Sequence, residues 1–464
     1  MRRFAAVLPA LALAACTVGP NYRPPAPASL QVPDAWYQRG AQAAPADLSH
    51  WWDQFNDPLL SRLIGEASAS NLDLAVASTR LVQARESLVQ ARAGLVPTAG
   101  ASASVGRSFG AGNDHTTFSL GADASWEVDL FGRIRRGIEA AGADAESVYY
   151  DREALRVANA AELATNYVQA RLSQERLALA RENLAIADDN LQIAVWRVQA
   201  GLASSLDSEQ ARAARAQTAA TIPGLEQSFA SSTYRIAVLT GRAPGTLTAE
   251  LSAVKPVPRG PRDIAAGIPA DTLRQRPDVR SAERSLAAAT ARIGVAQAQL
   301  YPALQLSGNI GTSAFSLGGL FNAITGGILG SLTQTLFDGG RLRSQVRSQQ
   351  AAAEGALATY RQTVLTSLED VENALATLNS ARQQQTQFTT ALDAANNSAI
   401  LARIQYRSGL TSFDQLLAVE RSLVSARDGL ASSRADESLA LIQLYRALGG
   451  GWDPTAAPDI RTTR

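Results

Sequence analysis

The segment AGLASSLD, residues 200–207, closes a run from Ala143 that contains neither glycine nor proline. A second segment of the same kind, SGLTSFDQ at residues 408–415, closes another such run from Ala356. At about 1.5 Å per residue, the first run is a helix of about 87 Å. Within it Leu177, Leu184, Leu191 and Val198 are seven apart, and Ala180, Ala187 and Ala194 lie three positions after the leucines. That spacing is a heptad seam, large side chains alternating with small ones so that neighbouring helices approach closely. Helical text resumes beyond each Gly-Leu pair, from Ser205 to Ile222 and from Phe413 to Leu448, where Leu416, Leu423 and Leu430 repeat the spacing. Gly201-Leu202 and Gly409-Leu410 therefore read as the turns of two long antiparallel helical hairpins.

The same elements precede each hairpin in the same order. Asp57 to Pro97 reads as one helical run, with Leu60, Ile64, Leu72, Leu74, Leu81 and Leu88 at helical spacings, and Arg276 to Pro302 is its counterpart. A strand pair follows each, at 98–131 and 303–337. In TFSLGADASWEVDLF, Phe118, Leu120, Ala122, Ala124, Trp126, Val128 and Leu130 alternate with small or polar residues. Period two over that length is a strand with one apolar face. Residues 98–109 alternate more weakly, and GAGND (110–114) is the turn between them. In the second half ALQLSGNIGTS and ILGSLTQTLF are the pair, joined by the Gly-rich, apolar AFSLGGLFNAITGG.

Four landmarks register the halves: Pro97 with Pro302, Leu130-Phe131 with Leu336-Phe337, Gly201-Leu202 with Gly409-Leu410, and Leu239-Thr240-Gly241 with Leu448-Gly449-Gly450. Their offsets are 205, 206, 208 and 209, the small drift left by an internal duplication. The chain thus divides into a first repeat at 57–241, a Pro/Gly-rich linker at 242–275, a second repeat at 276–452 and a tail at 453–464.

Met1-Arg2-Arg3 is a short positive region, and the apolar stretch Phe4 to Leu13 is too short to span a bilayer. It leads into Leu13-Ala14-Ala15-Cys16, where the chain spends its only cysteine. An ordinary secretory signal cut near Ala15 is one reading. LAAC also resembles a bacterial lipobox, in which residues 1–15 are the signal peptide and Cys16 is the site of lipid attachment. Several acyl chains are a stable membrane anchor. Thr17 follows in place of the aspartate that would favour inner-membrane retention. Residues 16–56 begin with five prolines between Gly19 and Asp34, an extended tether rather than a helix.

Four amphipathic strands cannot enclose a lumen, since membrane barrels need at least about eight. Open strand edges are not tolerated in lipid. A barrel shared among two or three copies satisfies both constraints, whereas a water-soluble sandwich satisfies the periodicity alone. The long helices, leaving one end of a barrel, would form a hollow projection.

CTVGPNYRPP followed by Trp36, FNDPLLSRLIGEASASNLDL, IPADTLRQRPDVRSAE and LFDGG occur in that order between Cys16 and about Trp452. Together they resemble the outer-membrane efflux proteins related to TolC, in the NodT-type lipoprotein branch. The resemblance implies a homotrimer, mainly α with a membrane β part. Four strands per chain would close a twelve-strand barrel, continued by a tapering periplasmic α-helical tunnel. It implies an outer-membrane exit duct that passively conducts drugs or other small toxic solutes. Its partners would be a periplasmic adaptor protein, an inner-membrane pump of the resistance-nodulation-division class and outer-membrane lipid. The adaptor would dock on the tips, at Gly201, Leu202, Ser205, Gly409, Leu410 and Ser412. A periplasmic gate would be drawn from Arg403, Tyr406, Arg407, Phe413, Asp414 and Leu417. Asp414 falls one residue earlier than the acidic position of some relatives and Ala418 occupies another, so an aspartate ring and a hydrophobic constriction by Phe413 or Leu417 both stand as expectations. A duct for ATP-driven protein secretion and a trimeric adhesive stalk are the alternatives.

Other chemistry finds little support. With 43 basic against 42 acidic residues the net charge is +1, which does not recruit nucleic acid. His50 and His115 are the only histidines and no cysteine remains to join them in a metal site. Lys255, the sole lysine, lies between Val254 and Pro256, outside any phosphate loop. Gly326 to Gly330 lacks the βαβ context of a dinucleotide site. The sequence calls for no cofactor and no catalytic residue.

Overall fold

The computed structural model describes residues 17–37, 47–110, 114–261, 269–456 and 458. Cys16 and the leader before it lie outside the described residues, as does most of the GAGND turn.

The first repeat opens with α1 (Pro58–Ser70) and α2 (Leu72–Ala93). The single helix expected here is broken at Asn71, whose ψ of 129° leaves the helical region. Asn71 is buried, and its side chain makes three hydrogen bonds. Its Oδ1 accepts from Leu74 N at 3.0 Å and from Asn159 Nδ2 at 3.1 Å, and its Nδ2 donates to the Leu239 carbonyl at 2.9 Å. A polar group so placed is worth more to the fold than one more helical turn. Leu74, Leu81 and Leu88 are buried as the periodicity predicts, while Leu72, at the break, is exposed.

Strands β1 (Thr98–Ser108) and β2 (His115–Val128) form an antiparallel hairpin, and α3 (Arg133–Gln199) and α4 (Ser205–Leu239) form the first long helical hairpin. Short helices α5 (Thr248–Leu251) and α6 (Pro269–Gln275) lie in the linker region. The second repeat supplies α7 (Pro277–Ala298), β3 (Ala303–Ala314), β4 (Thr325–Thr333), α8 (Arg341–Arg407) and α9 (Phe413–Ala447).

Both long helices have 67 residues and both returning helices 35. Arg133 matches Arg341 and Ser205 matches Phe413, a constant offset of 208. The landmark Leu130-Phe131 with Leu336-Phe337 is therefore two residues out of structural register. Asp338-Gly339 is an insertion in the second strand-to-helix turn, where Asp338 caps α8 through Gly340 N at 2.9 Å and Leu342 N at 2.8 Å.

The long helices begin earlier than their glycine-free runs, passing through Gly137 and Gly142 in α3 and Gly355 in α8. Each costs about 1 kcal/mol against alanine, little beside the packing of a helix about 100 Å long. Helix α4 likewise continues past Ile222 through Pro223, on its exposed side, to Leu239. Strand β4 starts within the expected joint and ends at Thr333, leaving Leu336 and Phe337 outside the ladder and exposed.

The four strands make one antiparallel sheet in the order β1-β2-β3-β4, so β2 and β3 join the two repeats with Phe118 opposite Ala314 and Val128 opposite Leu304. One face carries Val105, Leu120, Ile310, Ile328 and Leu332, all exposed in the single chain. The other carries mostly serine, threonine, glycine and amide residues, with Leu329 and Ala303 among them and His115, Asp123 and Glu127 as its ionisable groups. The outer edges of β1 and β4 have no partner strand among the described residues.

The main core lies beside the long helices, around the tether and linker. Trp51 stacks on Tyr445 with centroids 5.2 Å apart, and Leu60, Leu63, Ile64, Tyr167 and Ile236 surround them. Buried Arg171 fixes the linker, donating to the carbonyls of Leu251 at 3.2 Å and Ala253 at 2.8 Å. The tether is laid down beside the sheet-to-helix junction. Val18 N bonds to the Phe131 carbonyl at 3.2 Å, and the Arg136 guanidinium holds Val18 O, Gly19 O and Asn21 Oδ1 at 2.7–3.2 Å. Gly294 makes room for it: a Cβ there would lie 2.9 Å from Val18 O.

Candidate functional site

The two tips are closed by the same local chemistry. Gly201 and Gly409 adopt φ of 72° and 74°, the left-handed conformation that costs glycine least. Leu202 N then bonds to Arg197 O and Leu410 N to Gln405 O, both at 2.8 Å, completing a Schellman motif in each. Such motifs usually bury the residue after the glycine against the last turn. Here Leu202 and Leu410 are 72% and 78% exposed, so the leucines do not serve the caps. The returning helices are capped by Ser204, accepting from Leu206 N, and Ser412, accepting from Gln415 N. Ser204 is thus the counterpart of Ser412; Ser205, one of the expected tip residues, is the first helical residue and is exposed.

Just inside the tips the two hairpins touch. Tyr406 and Phe413 are each 2% exposed, with ring centroids 5.4 Å apart, in a cluster with Ala194, Ala211, Ala402 and Leu416. The heptad reading had shown Ala194 and Leu416 but not the connection between hairpins. That connection is Arg197 of α3, whose Nη1 donates to the Tyr406 carbonyl at 2.6 Å while its guanidinium lies 4.6 Å from the tyrosine ring centre. Burial raises the Tyr406 phenol above its ordinary pKa, against the pull of the Arg197 charge and with the Asp207 carboxylate adding to the rise. Its hydroxyl has no hydrogen-bond partner among the described residues.

Arg403 is spent within its own hairpin. Its Nε and Nη2 grip the two oxygens of Glu420 at 2.5 and 2.8 Å, and this paired hydrogen bonding raises the arginine pKa. Leu417 is half-buried and, with Phe413 and Glu420, lines a groove of about 720 Å3 between α3, α4 and α9. Arg407 and Asp414 are exposed and make no hydrogen bond or ion pair among the described residues. The expected gate residues therefore separate: Tyr406 and Phe413 form an internal contact, Arg403 an ion pair, and Arg407 and Asp414 a charged surface. Arg197 and Glu420 were missed. Arg197 had a signal in its position, four residues before Gly201, where the duplicated residue is Gln405 and not arginine.

No described helix is long and apolar enough to cross a membrane. No group of three or more metal-ligating side chains occurs among the described residues. The amphipathic sheet and the paired helical hairpins are what the chain has to work with. The sequence profile of a family described as outer membrane efflux protein matches residues 63–242 and 268–450, each stretch falling almost wholly within one repeat. The chain belongs to the outer membrane efflux protein family. It is 34% identical to Nodulation protein T of Rhizobium leguminosarum bv. viciae, over 100% of this chain and 95% of that protein. It is 31% identical to outer membrane protein OprJ of Pseudomonas aeruginosa, covering 97% and 95%. Among solved structures, the outer-membrane channel OprN matches with a TM-score of 0.86 and 35% identity, over 94% of this chain and all of that one. The Campylobacter jejuni CmeC outer membrane channel has the same TM-score at 22% identity and supports the fold. Membership makes this chain an outer-membrane efflux component of the NodT type and not an enzyme.

Proposed function

We propose that three copies of this chain form the passive exit duct of a tripartite efflux pump. The observation that carries the reading is the sheet. It has an exposed apolar face, a polar face and two edges with no partner strand among the described residues, which closure with other copies would satisfy. β2 has 14 residues; at about 3.3 Å each and a tilt of about 40° it rises about 33 Å, enough for an apolar band about 25 Å tall. Trp126 and the stacked Phe131–Tyr301 pair sit at one end of that span, and Phe109, Phe315 and Phe321 at the other. These are the two aromatic girdles of a membrane barrel.

Joining β4 of one copy to β1 of the next would repeat the β2–β3 join between the repeats. The adaptor would meet the exposed leucines of the six tips. Arg197, Tyr406 and Phe413 would hold the two hairpins of each protomer together, and Arg407 and Asp414 would face the neighbouring copies where the tunnel narrows. Acylation of Cys16 would add a lipid anchor.

The join can be tested residue by residue. Carrying the β2–β3 register through the repeat sets Ser331 opposite Ser104 of the next copy, both on the polar face. Ser104→Cys with Ser331→Cys should give a disulfide-linked trimer ladder in outer membranes, which neither single variant gives. Absence of the ladder in membranes containing the doubly substituted protein would refute the shared barrel with this register.

A further inference from the structure

Asp123 lies midway along β2 on the polar face of the sheet, opposite Gly100 of β1 and Asn309 of β3, with Gly327 beyond. On that face the strands carry serine, threonine, glycine, alanine, glutamine, asparagine and one leucine; between His115 at one end and Glu127 at the other, Asp123 is the only ionisable residue described. Glu127 is already neutralised, held by Arg133 through two bonds of 2.8 and 2.5 Å. Asp123 pairs with no cation among the described residues, and Arg107 is on the opposite face. Its flank is empty: even a Cβ added at Gly100 would only reach van der Waals contact with the Asp123 carboxylate, at 3.4 Å.

We infer that Asp123 determines charge selectivity in the barrel, three carboxylates forming one ring in a lumen otherwise lined by neutral groups, so that cationic and neutral solutes pass in preference to anionic ones. The inference rests on the trimeric duct proposed above. Twelve strands about 4.8 Å apart, tilted about 40°, close at a backbone radius of about 12 Å. An ion on the axis is then about 8 Å from each carboxylate. Coulomb's law in water, screened over about 10 Å at 0.1 M salt, makes the three together favour a monovalent cation over an anion by about tenfold. At 1 M, where screening acts over about 3 Å, the preference falls below about twofold. A ring in a wide, wet lumen therefore filters at low salt and hardly at all at high salt.

The test is the reversal potential of the full-length protein in planar bilayers under a potassium chloride gradient. It is read in the wild type and in a background whose tunnel end is loosened by Arg197→Ala with Arg403→Ala. Asp123→Asn, nearly the same size, should lower the cation preference several-fold at 0.1 M and change little at 1 M; Asp123→Arg should invert it. Conducting channels whose selectivity is the same with aspartate, asparagine and arginine would overturn the ring while leaving the duct intact. Inserted trimers that pass no current in either background would overturn both.

Discussion

Replacing Arg197 by alanine should loosen one hairpin against the other without unfolding either. The side chain makes a 2.6 Å charge-assisted bond to the Tyr406 carbonyl and a cation–π contact at 4.6 Å. A hydrogen bond to a charged group is worth about 1.5–3 kcal/mol and a partly desolvated cation–π contact about 0.5–2 kcal/mol. Against this stands the cost of holding Arg197 with its Nε buried and unpaired among the described residues, about 1–3 kcal/mol. The net loss is about 2 kcal/mol per protomer, a shift of about 30-fold between hairpins together and hairpins apart. Nothing else in the tip changes, since both Schellman caps use backbone groups and Tyr406 stays packed on Phe413. Single-channel recording in a planar bilayer reads the effect as longer and larger openings. Arg197→Lys, which keeps the charge but not the planar fork, should fall between alanine and wild type. Trimers that insert normally and conduct as wild type after Arg197→Ala would refute the view that this contact holds the tunnel end.

Charging the tips by Leu202→Asp with Leu410→Asp should abolish drug export by intact cells while leaving the trimer assembled on native gels, because both leucines are exposed. Arg407→Ala with Asp414→Ala should raise conductance if these surface charges meet across copies; unchanged current would move the constriction away from these two residues. Tyr406→Phe should alter thermal stability by less than about 1 kcal/mol, since the lost hydroxyl has no partner among the described residues, and a larger loss in thermal unfolding would show a hidden hydrogen bond. Leu63→Ala, in the core beside the tether, should cost about 2–5 kcal/mol, seen as a lower temperature of trimer dissociation.

The hairpins were legible because glycine is absent between Ala143 and Ala200 and essential at Gly201, and the strands because Phe118 to Val128 alternate without interruption. What escaped was whatever depends on distant partners. The break at Asn71 follows from hydrogen bonds to Asn159 and Leu239, which no local spacing announces. The early start of α3 escaped because glycine was read as a stop, although a long packed helix tolerates Gly137 and Gly142. At the tip, Tyr406 and Phe413 could be named from their distance to Gly409. Their partner Arg197 comes from the other hairpin, 209 residues away, and its duplicate Gln405 marks the position only by the difference in charge.

The tether's course has a mechanical consequence. With Val18 N bonded to the Phe131 carbonyl and Thr17 so close to Gly132 that an added Cβ there would lie 2.6 Å from its side chain, the chain is held within two residues of Cys16. Successive Cα atoms are about 3.8 Å apart, so an acyl anchor on Cys16 would have almost no slack. In the acylated trimer proposed above, load along the tunnel axis would pass straight into three lipid footings at the base of the sheet, and not through a yielding leash. A tripartite machine pulled from the inner-membrane side would find its outer end moored at a fixed height.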